Sequence, residues 1–293
     1  MKPIIFIGAI LLLIACNKEF TTLQKSGTTD SKYAAAIKYY NEADYFHAGL
    51  LFDEILPLLK GDSTAERSSF YQGYCSYYQS QYQLSSYQFK TFYATYANSP
   101  YAEESFYMYA FSMFKDAPKY NLDQESTITA IDALQTFINT YPNSQYAENC
   151  TQNLIDLRER LEKKAYEKAF LYYKTSAVTI ANYKAAVISI DNFQREFPDS
   201  KYNEELAYVQ NKSEFELAEN SFFRKQRERY EKTLVFHETF IDKYQSSPYL
   251  KELSSIYKKS QDALVVVSKT EDDIEKIKLD NAEAAGYSTL QEN

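Results

Sequence analysis

The strongest constraint on the fold is a short segment that occurs four times along the chain. Each copy reads aromatic residue, breaker, Ser, aromatic residue and then an acid, and the copies begin at Tyr96, Tyr141, Phe197 and Tyr244. In the last copy the acid is displaced by one residue, to Glu252. Self-similarity at a spacing of tens of residues is typical of stacked supersecondary repeats. The segment therefore predicts where one repeat ends and the next begins.

Apolar residues recur at constant offsets before the breaker of each copy. With one earlier and weaker copy included, the breakers are Lys60, Ala97, Pro142, Pro198 and Gln245. Twelve positions earlier stand mostly small residues: Ala48, Ser85, Ala130, Ala186 and Thr233. Eight positions earlier stand large ones: Phe52, Phe89, Leu134, Ile190 and His237. Further columns lie fifteen, five and one positions before the breaker. Because the offsets differ by three or four, the columns form one face of a helix.

A small residue followed four positions later by a large one resembles the second helix of the tetratricopeptide repeat. The chain departs from the standard repeat, because it has no Trp and its breakers are 37, 45, 56 and 47 residues apart instead of about 34. The extra residues fall in a loop at 115–124, a long first helix at 154–174 and a segment at 222–231, whose basic run at 224–227 is first interpreted as a solvated helix or turn face. Only 6 Gly and 7 Pro leave little room for the turns of an all-β protein. The predicted fold is all-α, a right-handed superhelical solenoid of about five degenerate tetratricopeptide repeats.

The pattern divides the chain into four segments. These are a signal peptide at 1–15, a lipidated Cys with a flexible tether at 16–30, the solenoid at 31–267 and an acidic tail at 268–293. The repeats cover about 31–60, 65–97, 102–142, 147–198 and 203–245, and a capping helix covers 249–267. The tail is expected to be either a frayed helix or disordered.

The amino terminus predicts export and lipid anchoring. An apolar run at 4–15 follows Lys2, and its twelve residues are too few to span a bilayer core of about 30 Å. The run ends in Leu-Ile-Ala-Cys at 13–16, which resembles the lipobox of bacterial lipoproteins. We therefore expect Cys16 to carry the lipid. By the same resemblance, Asn17 in place of Asp suits sorting to the outer membrane.

Residues that could carry chemistry are sparse. No phosphate-binding Gly-rich loop, nucleophile elbow or His-x-x-x-His pair occurs. His237 occupies an apolar column, and His47 has only Asp44 near it at ligand spacing. Cys75 and Cys150 lie in the first helices of the second and fourth repeats, which predicts two buried free thiols rather than a disulfide. We expect no enzymatic activity, no catalytic residue, no metal site and no cofactor.

The charged residues argue against one class of partner and predict helix ends. A formal net charge of -8 is unsuited to nucleic acid, whose phosphates call for a basic face. Acids recur after the breakers, at Glu66, Glu103, Glu148 and Glu204. Their place in a first helical turn, a few residues after an Asp or Ser, predicts helix-dipole and capping-box partners rather than a catalytic carboxylate pair.

A tetratricopeptide stack offers a groove lined by its first helices. By that resemblance the groove residues are Tyr33, Ile37 and Tyr40 in the first repeat and Phe70, Tyr74, Tyr77 and Tyr78 in the second. Aromatic walls poor in charge favour apolar or aromatic peptide segments. The alternative is that several of these side chains only pack on the neighbouring repeat.

The lipobox, the five degenerate repeats, Tyr-Pro-Asn-Ser-Gln-Tyr at 141–146 and a long helix with Arg-Leu at 160–161 and Tyr-Tyr at 172–173 resemble the BamD (ComL/YfiO) lipoprotein family. The resemblance implies a non-catalytic part of the machinery that inserts β-barrels into the outer membrane. It implies that amino-terminal repeats receive unfolded outer-membrane proteins and that carboxy-terminal repeats dock the periplasmic domains of the barrel insertase. The basic residues Arg224, Lys225, Arg227 and Arg229 are then a candidate docking site for an acidic partner. The protein is expected on the outer membrane, facing the periplasm.

Other functional classes stay open from the sequence. A surface lipoprotein that captures glycans also uses such repeats, although those proteins are larger and typically present Trp platforms, which this chain lacks. A coordinator of cell-wall synthesis would share the repeats but not usually the lipid anchor. A solenoid hydrolase is the remaining enzymatic alternative, and no catalytic motif in the sequence supports it.

Overall fold

The computed structural model describes residues 19–59, 61 and 63–291, with side chains described up to residue 281. The predicted signal peptide, Cys16 and the first residues of the predicted tether lie outside this range. Within the described ranges all regular structure is helical, and no helix combines the length and apolarity needed to cross a membrane. The all-α prediction is therefore confirmed.

Successive helices pack against one another in chain order. Up to residue 174 they are α1 (residues 19–26), α2 (Thr29–Asn41), α3 (Tyr45–Ile55), a 3-10 turn (Leu56–Leu58), α4 (Ser63–Tyr78), α5 (Tyr82–Thr95), α6 (Ala102–Asp116), α7 (Glu125–Thr140) and α8 (Ala147–Lys174). They are followed by α9 (Ala181–Glu196), α10 (Asn203–Glu219), α11 (Phe223–Lys243) and α12 (Leu250–Gln291). Even-numbered helices from α2 to α10 are the first helices of the repeats, and odd-numbered helices from α3 to α11 are the second. This consecutive packing is that of a helical repeat protein.

The apolar columns read from the sequence form the cores. Phe52, Phe89, Leu134 and Ile190 are fully buried, and His237 in the same column is 5% exposed. The small-residue column, from Ala48 to Thr233, is fully buried as well. Small side chains let the first helix of a repeat approach the second, and the large residue one turn later fills the remaining space.

The contacts divide the chain into an amino-terminal half, ending at Leu161, and a carboxy-terminal half, beginning at Glu162. The boundary falls inside α8, because this helix serves two cores. Its first part supplies Cys150, Leu154 and Leu157 to the core of the amino-terminal half. Its second part supplies Ala169, with partly buried rings around it, to the core of the carboxy-terminal half.

The predicted flexible tether differs from the structure at residues 19–26, which are helical. Two side chains account for this. Leu23 packs against the core of the first repeat, and Phe20 is 6% exposed, with its ring centroid 4.3 Å from that of His47 and 5.9 Å from that of Tyr39. Glu54 of α3 strengthens the attachment by accepting a hydrogen bond from Gln24 at 2.5 Å, and it accepts another from Lys32 of α2 at 2.7 Å. The segment is thus part of the first repeat.

The predicted capping helix extends well beyond its expected end at residue 267. Helix α12 continues through the acidic segment to Gln291. Val267 is buried, and Arg227 of α11 donates hydrogen bonds to the hydroxyl of Ser268 and to the carboxylate of Glu271, both at 2.8 Å. Of the two states expected for the tail, the structure has the helical one.

Candidate functional site

The recurring joint is a turn closed by its Ser side chain. In every copy the Ser hydroxyl accepts a hydrogen bond from the backbone N–H two residues on, at 3.0–3.2 Å. The N-cap residues of α6 and α10 are Tyr101 and Tyr202, and neither makes a side-chain cap. The Ser hydroxyl therefore shapes the turn instead of capping the helix as expected.

The joint aromatic residues stack on the first helix of the preceding repeat. Four pairs repeat this contact with centroid distances of 4.6, 4.2, 4.2 and 4.2 Å: Phe70–Tyr101, Tyr107–Tyr146, Tyr166–Tyr202 and Tyr208–Tyr249. The rings of the last three pairs are within 21° of parallel. Each joint thereby holds two successive even-numbered helices at a fixed separation.

Polar side chains reinforce the same contacts. Tyrosine hydroxyls donate to a side chain in the first turn of the next even-numbered helix, in the pairs Tyr74–Glu104, Tyr107–Asn149, Tyr166–Glu205 and Tyr208–Glu252. In addition, Glu66 accepts from the hydroxyl of Ser99, and Glu162 accepts from that of Ser200. The first-turn acid Glu66 thus joins successive repeats, where the sequence predicted a capping box.

Half-exposed rings form a continuous surface on the amino-terminal half. We call it the aromatic surface, and it consists of Tyr40, Tyr45, Tyr74, Tyr77, Tyr78, Tyr107, Phe111 and Tyr146. Successive centroids along it lie 4.2–5.9 Å apart, from Tyr40 through Tyr45, Tyr78, Tyr77, Phe111 and Tyr107 to Tyr146. Tyr78 is the most open member, with 49% of its surface exposed. The surface crosses three successive first helices.

Burial favours the protonated form of several hydroxyls on this surface. Burial raises the pKa of Tyr107 to about 12, and burial also raises the pKa of Tyr40 and Tyr74. For Tyr74 the second cause is its hydrogen bond to Glu104, which would be lost on ionisation. The surface therefore presents neutral rings and hydrogen-bonding hydroxyls, which suits an uncharged segment of a partner.

The predicted groove residues divide into three groups. Tyr40, Tyr74, Tyr77 and Tyr78 belong to the aromatic surface. Tyr33 and Ile37 pack partly buried against the core of the first repeat. Phe70 is only 6% exposed because its ring is enclosed by Tyr101, Phe89 and Phe92, so it packs between repeats and is not a groove residue.

Sequence reasoning missed Tyr45, Tyr107, Phe111 and Tyr146. A signal for two of them was present, since Tyr107 and Phe111 follow their breaker by ten and fourteen residues, as Phe70 and Tyr74 do. Offsets counted forward from each breaker therefore predict the positions of Tyr107 and Phe111.

The predicted basic docking site is only partly available. Arg227 is bound to Glu271 and Ser268, and Arg229 donates to the hydroxyl of Ser221 and, at 3.2 Å, to the carbonyl of Leu217. These two residues therefore hold α12 and the end of α10. Arg224 and Lys225 are exposed, and Lys225 lies 3.2 Å from Glu228 in its own helix.

The two His residues and the two described Cys residues all pack against other side chains of the fold. Nδ1 of His47 lies 2.7 Å from the carboxylate of Asp44, which also accepts from the backbone N–H of His47 at the start of α3. His237 is buried beside Tyr257, and burial lowers its pKa. Cys75 and Cys150 are buried free thiols, as predicted. Within the described ranges no group of three His, Cys, Asp or Glu side chains could hold a metal ion.

Comparison with known proteins places the chain in a family. Residues 25–182, more than half of the chain, match the model of the YfiO family, described as outer membrane lipoprotein. The chain is also 23% identical over 194 residues to the outer membrane protein assembly factor BamD of Caulobacter vibrioides. That match covers 64% of the chain and 64% of the relative, which is less than two thirds of the relative's length. The chain belongs to the YfiO family of outer membrane lipoproteins.

Proposed function

We propose that this protein is a non-catalytic scaffold of the β-barrel assembly machinery, anchored to the outer membrane by a lipid on Cys16 and facing the periplasm. In this role it binds unfolded outer-membrane proteins and the barrel insertase. The observation that carries the proposal is the aromatic surface on the first helices of a YfiO-family chain. The name of the relative, an outer membrane protein assembly factor, supports the same role.

The chemistry of the aromatic surface fits an unfolded barrel strand. Such strands alternate lipid-facing apolar residues with lumen-facing polar ones. Tyr rings contact the apolar side chains, while their hydroxyls exchange hydrogen bonds with the polar side chains and the backbone. Stacked rings such as Tyr45 and Tyr78, 4.3 Å apart, are fixed before binding, which lowers the entropic cost of association.

Photo-crosslinking at Tyr78 tests client binding. A photoreactive phenylalanine analogue at Tyr78 is expected to crosslink unfolded outer-membrane proteins that are in transit in living cells. The matched control is Tyr87, an exposed tyrosine of the same repeat that lies on the second helix α5. Equal crosslinking at both positions, or crosslinking to neither, would contradict the assignment of the aromatic surface.

Insertase docking is assigned to the carboxy-terminal half and to the two exposed cations Arg224 and Lys225. Reversing Arg227 and Arg229 as well would disturb α12 and the end of α10, so the sharper test reverses only the first two. The Arg224→Glu/Lys225→Glu protein is expected to lose co-purification with the insertase from outer membranes. The control is Lys251→Glu/Lys258→Glu, because both lysines are exposed on α12 of the same half.

The same purification distinguishes the alternative functions. Recovery of a barrel insertase, lost in the Cys16→Ala protein, supports the proposal. Recovery of glycan transporters or of cell-wall synthases instead would move the assignment to a surface glycan-capturing or cell-wall-coordinating lipoprotein.

A further inference from the structure

The turns inside the first three repeats lie along one edge of the amino-terminal half. Two contacts establish this. The ring of Tyr45, at the start of α3, stacks on Tyr78, at the end of α4, with centroids 4.3 Å apart. Gln83, near the start of α5, donates to the carboxylate of Asp116, at the end of α6, at 3.1 Å. The turns at 42–44, 79–81 and 117–124 therefore follow one another along an edge, which we call the turn edge.

Each turn of this edge exposes apolar side chains. Phe46 is 58% exposed beside the first turn, Leu84 46% beside the second, and Tyr120 38% and Leu122 56% in the third. Exposure of large apolar groups to water is unfavourable by about 25 cal/mol per Å². One isolated exposed ring needs no explanation, but recurrence at three consecutive turns of the same edge indicates a surface that is covered in use.

The exposed charges along the turn edge are equal in number, and two half-buried acids, Asp44 and Asp116, also lie there as hydrogen-bond acceptors for His47 and Gln83. Lys38, Lys115 and Lys119 are exposed there, and so are the acids Glu42, Asp123 and Glu125. A surface for an anionic partner would show an excess of cations, and one for a basic partner an excess of acids. The composition of apolar side chains among exposed charges of equal number instead matches the interfacial layer of a bilayer, where aromatic side chains are favoured.

The start of the chain lies at the same edge. Phe20 packs on Tyr39, near the end of α2, and on His47, near the start of α3. These two residues flank the first turn, and Phe46 contacts His47 with centroids 5.4 Å apart. Only two residues, Asn17 and Lys18, separate Cys16 from Glu19, the first described residue of α1, so the Cα atoms of Cys16 and Glu19 are at most about 11 Å apart.

We propose that the turn edge of the amino-terminal half rests on the bilayer, with Phe46, Leu84 and Tyr120 in the interfacial layer. The proposal relies on the lipid predicted at Cys16, which places the first turn against the membrane. The next two turns extend the contact. Because its exposed cations and acids are equal in number, the edge binds zwitterionic headgroups and its binding depends little on salt. The first helices are then held in a defined orientation to the membrane.

The absence of Trp from the chain makes a clean test possible. Phe46→Trp and Tyr120→Trp each place one reporter on the turn edge of the lipidated full chain. Leu58→Trp is the matched control, because Leu58 is 69% exposed but follows the other end of α3, whose 11 residues span about 16 Å. The proteins are bound to vesicles of phosphatidylethanolamine and phosphatidylglycerol that contain lipids brominated on their acyl chains. Emission is expected to shift to the blue and to be quenched at 46 and 120, and not at 58.

A second measurement uses the unlipidated chain with Cys16→Ala. Its partitioning onto the same vesicles is expected to fall at least about tenfold in the Phe46→Asp/Leu84→Asp protein and to stay unchanged in the Leu58→Asp protein. Equal quenching at all three Trp positions, or no quenching at 46 and 120 in vesicle-bound protein, overturns the proposal. Protection of these positions by a protein partner in native membranes, without lipid quenching, overturns it as well. None of these readouts involves barrel assembly, so the outcome is separate from that of the proposed function.

Discussion

Tyr and Phe differ by one hydroxyl, and that hydroxyl decides how each joint is held. At the position ten residues after the breaker, Tyr107 and Tyr208 both stack on the next joint and donate to its first turn. Phe70 occupies the equivalent position and can only stack. Tyr74, one helical turn further along, supplies the missing hydrogen bond by donating to Glu104. The stack and the hydrogen bond are thus separable parts of one contact.

Removing that hydroxyl gives the first prediction. Tyr74→Phe keeps the ring contacts with Phe70 and Phe89 but leaves Glu104 without its donor. A hydrogen bond to a charged group contributes about 1.5–3 kcal/mol, and partial solvent access reduces this, so we expect a loss of about 1–2 kcal/mol in unfolding free energy. Urea unfolding measures it, with Tyr87→Phe as an exposed control that should change by less than about 0.5 kcal/mol. Equal effects of the two substitutions would refute the role of the Tyr74 hydroxyl.

Two glycines of neighbouring helices give opposite predictions. A Cβ on Gly73 would lie 2.8 Å from two ring carbons of the buried Phe89, whereas a Cβ on Gly49 would meet Cys75 and Gln79 at an ordinary 3.5 Å. Gly73→Ala is expected to destabilise by about 1–3 kcal/mol through overpacking. Gly49→Ala is expected to stabilise by up to about 1 kcal/mol, because Ala loses less backbone entropy in a helix. Thermal unfolding of the pair checks the sign of each change.

At the scale of elements, α8 differs from the other first helices by an insertion of about four helical turns. Glu66 follows its breaker Lys60 by six residues, whereas Glu162, which makes the equivalent contact with a joint Ser, follows Pro142 by twenty. The difference of fourteen residues is close to four helical turns. An insertion of nearly whole turns keeps the helical register, so Glu162 in the second part of α8 corresponds to Glu66 in α4 and accepts from the joint Ser in the same way.

The helical order of the other long element, α12, depends on hydrogen bonds from Arg227 of α11, which we call the polar clamp. Arg227 holds its middle through Ser268 and Glu271, beyond Val267, which is the last buried apolar residue among the side chains described up to residue 281. We expect Arg227→Ala to raise amide hydrogen exchange in residues 268–281 and to leave the rest of the chain unchanged. The neighbouring Lys225→Ala is the control, because Lys225 pairs only within its own helix, with Glu228. Unchanged exchange in Arg227→Ala would show that the helix holds without the clamp.

Periodic elements were predictable from the sequence, and single contacts were not. The core residues of every repeat stand at the same offsets before the breaker, so the burial of Phe52 or Leu134 follows from their position in the sequence. No repeat is available for Phe20, whose ring helps to turn the expected tether into a helix, or for Arg227, which extends the order of α12. Exposure was equally hard to predict: Phe70 and Tyr78 share one helix, yet one is enclosed by the next joint and the other is open.

At the scale of the whole molecule, buried thiols and phenols link stability to pH. Burial raises the pKa of Cys75 and of Cys150 from 9.0 to about 12, and that of Tyr107 from 10.0 to about 12. Burial is also the first cause of the raised pKa of Tyr166 in the carboxy-terminal half. These groups keep their protons in the folded chain over a pH range in which the unfolded chain releases them.

The sign of the resulting effect follows from linkage. Between about pH 9 and pH 12 the folded state binds more protons than the unfolded state, so unfolding free energy decreases as pH rises. We expect the urea midpoint to be flat from pH 7 to about pH 8.5 and to fall steadily above about pH 9. The protein with both Cys75→Ala and Cys150→Ala loses the two groups that titrate first when unfolded. Its midpoint should therefore start to fall about one pH unit later, near the ordinary pKa of Tyr. A midpoint with the same pH dependence in both proteins would mean that the thiols ionise equally in the folded and unfolded chains.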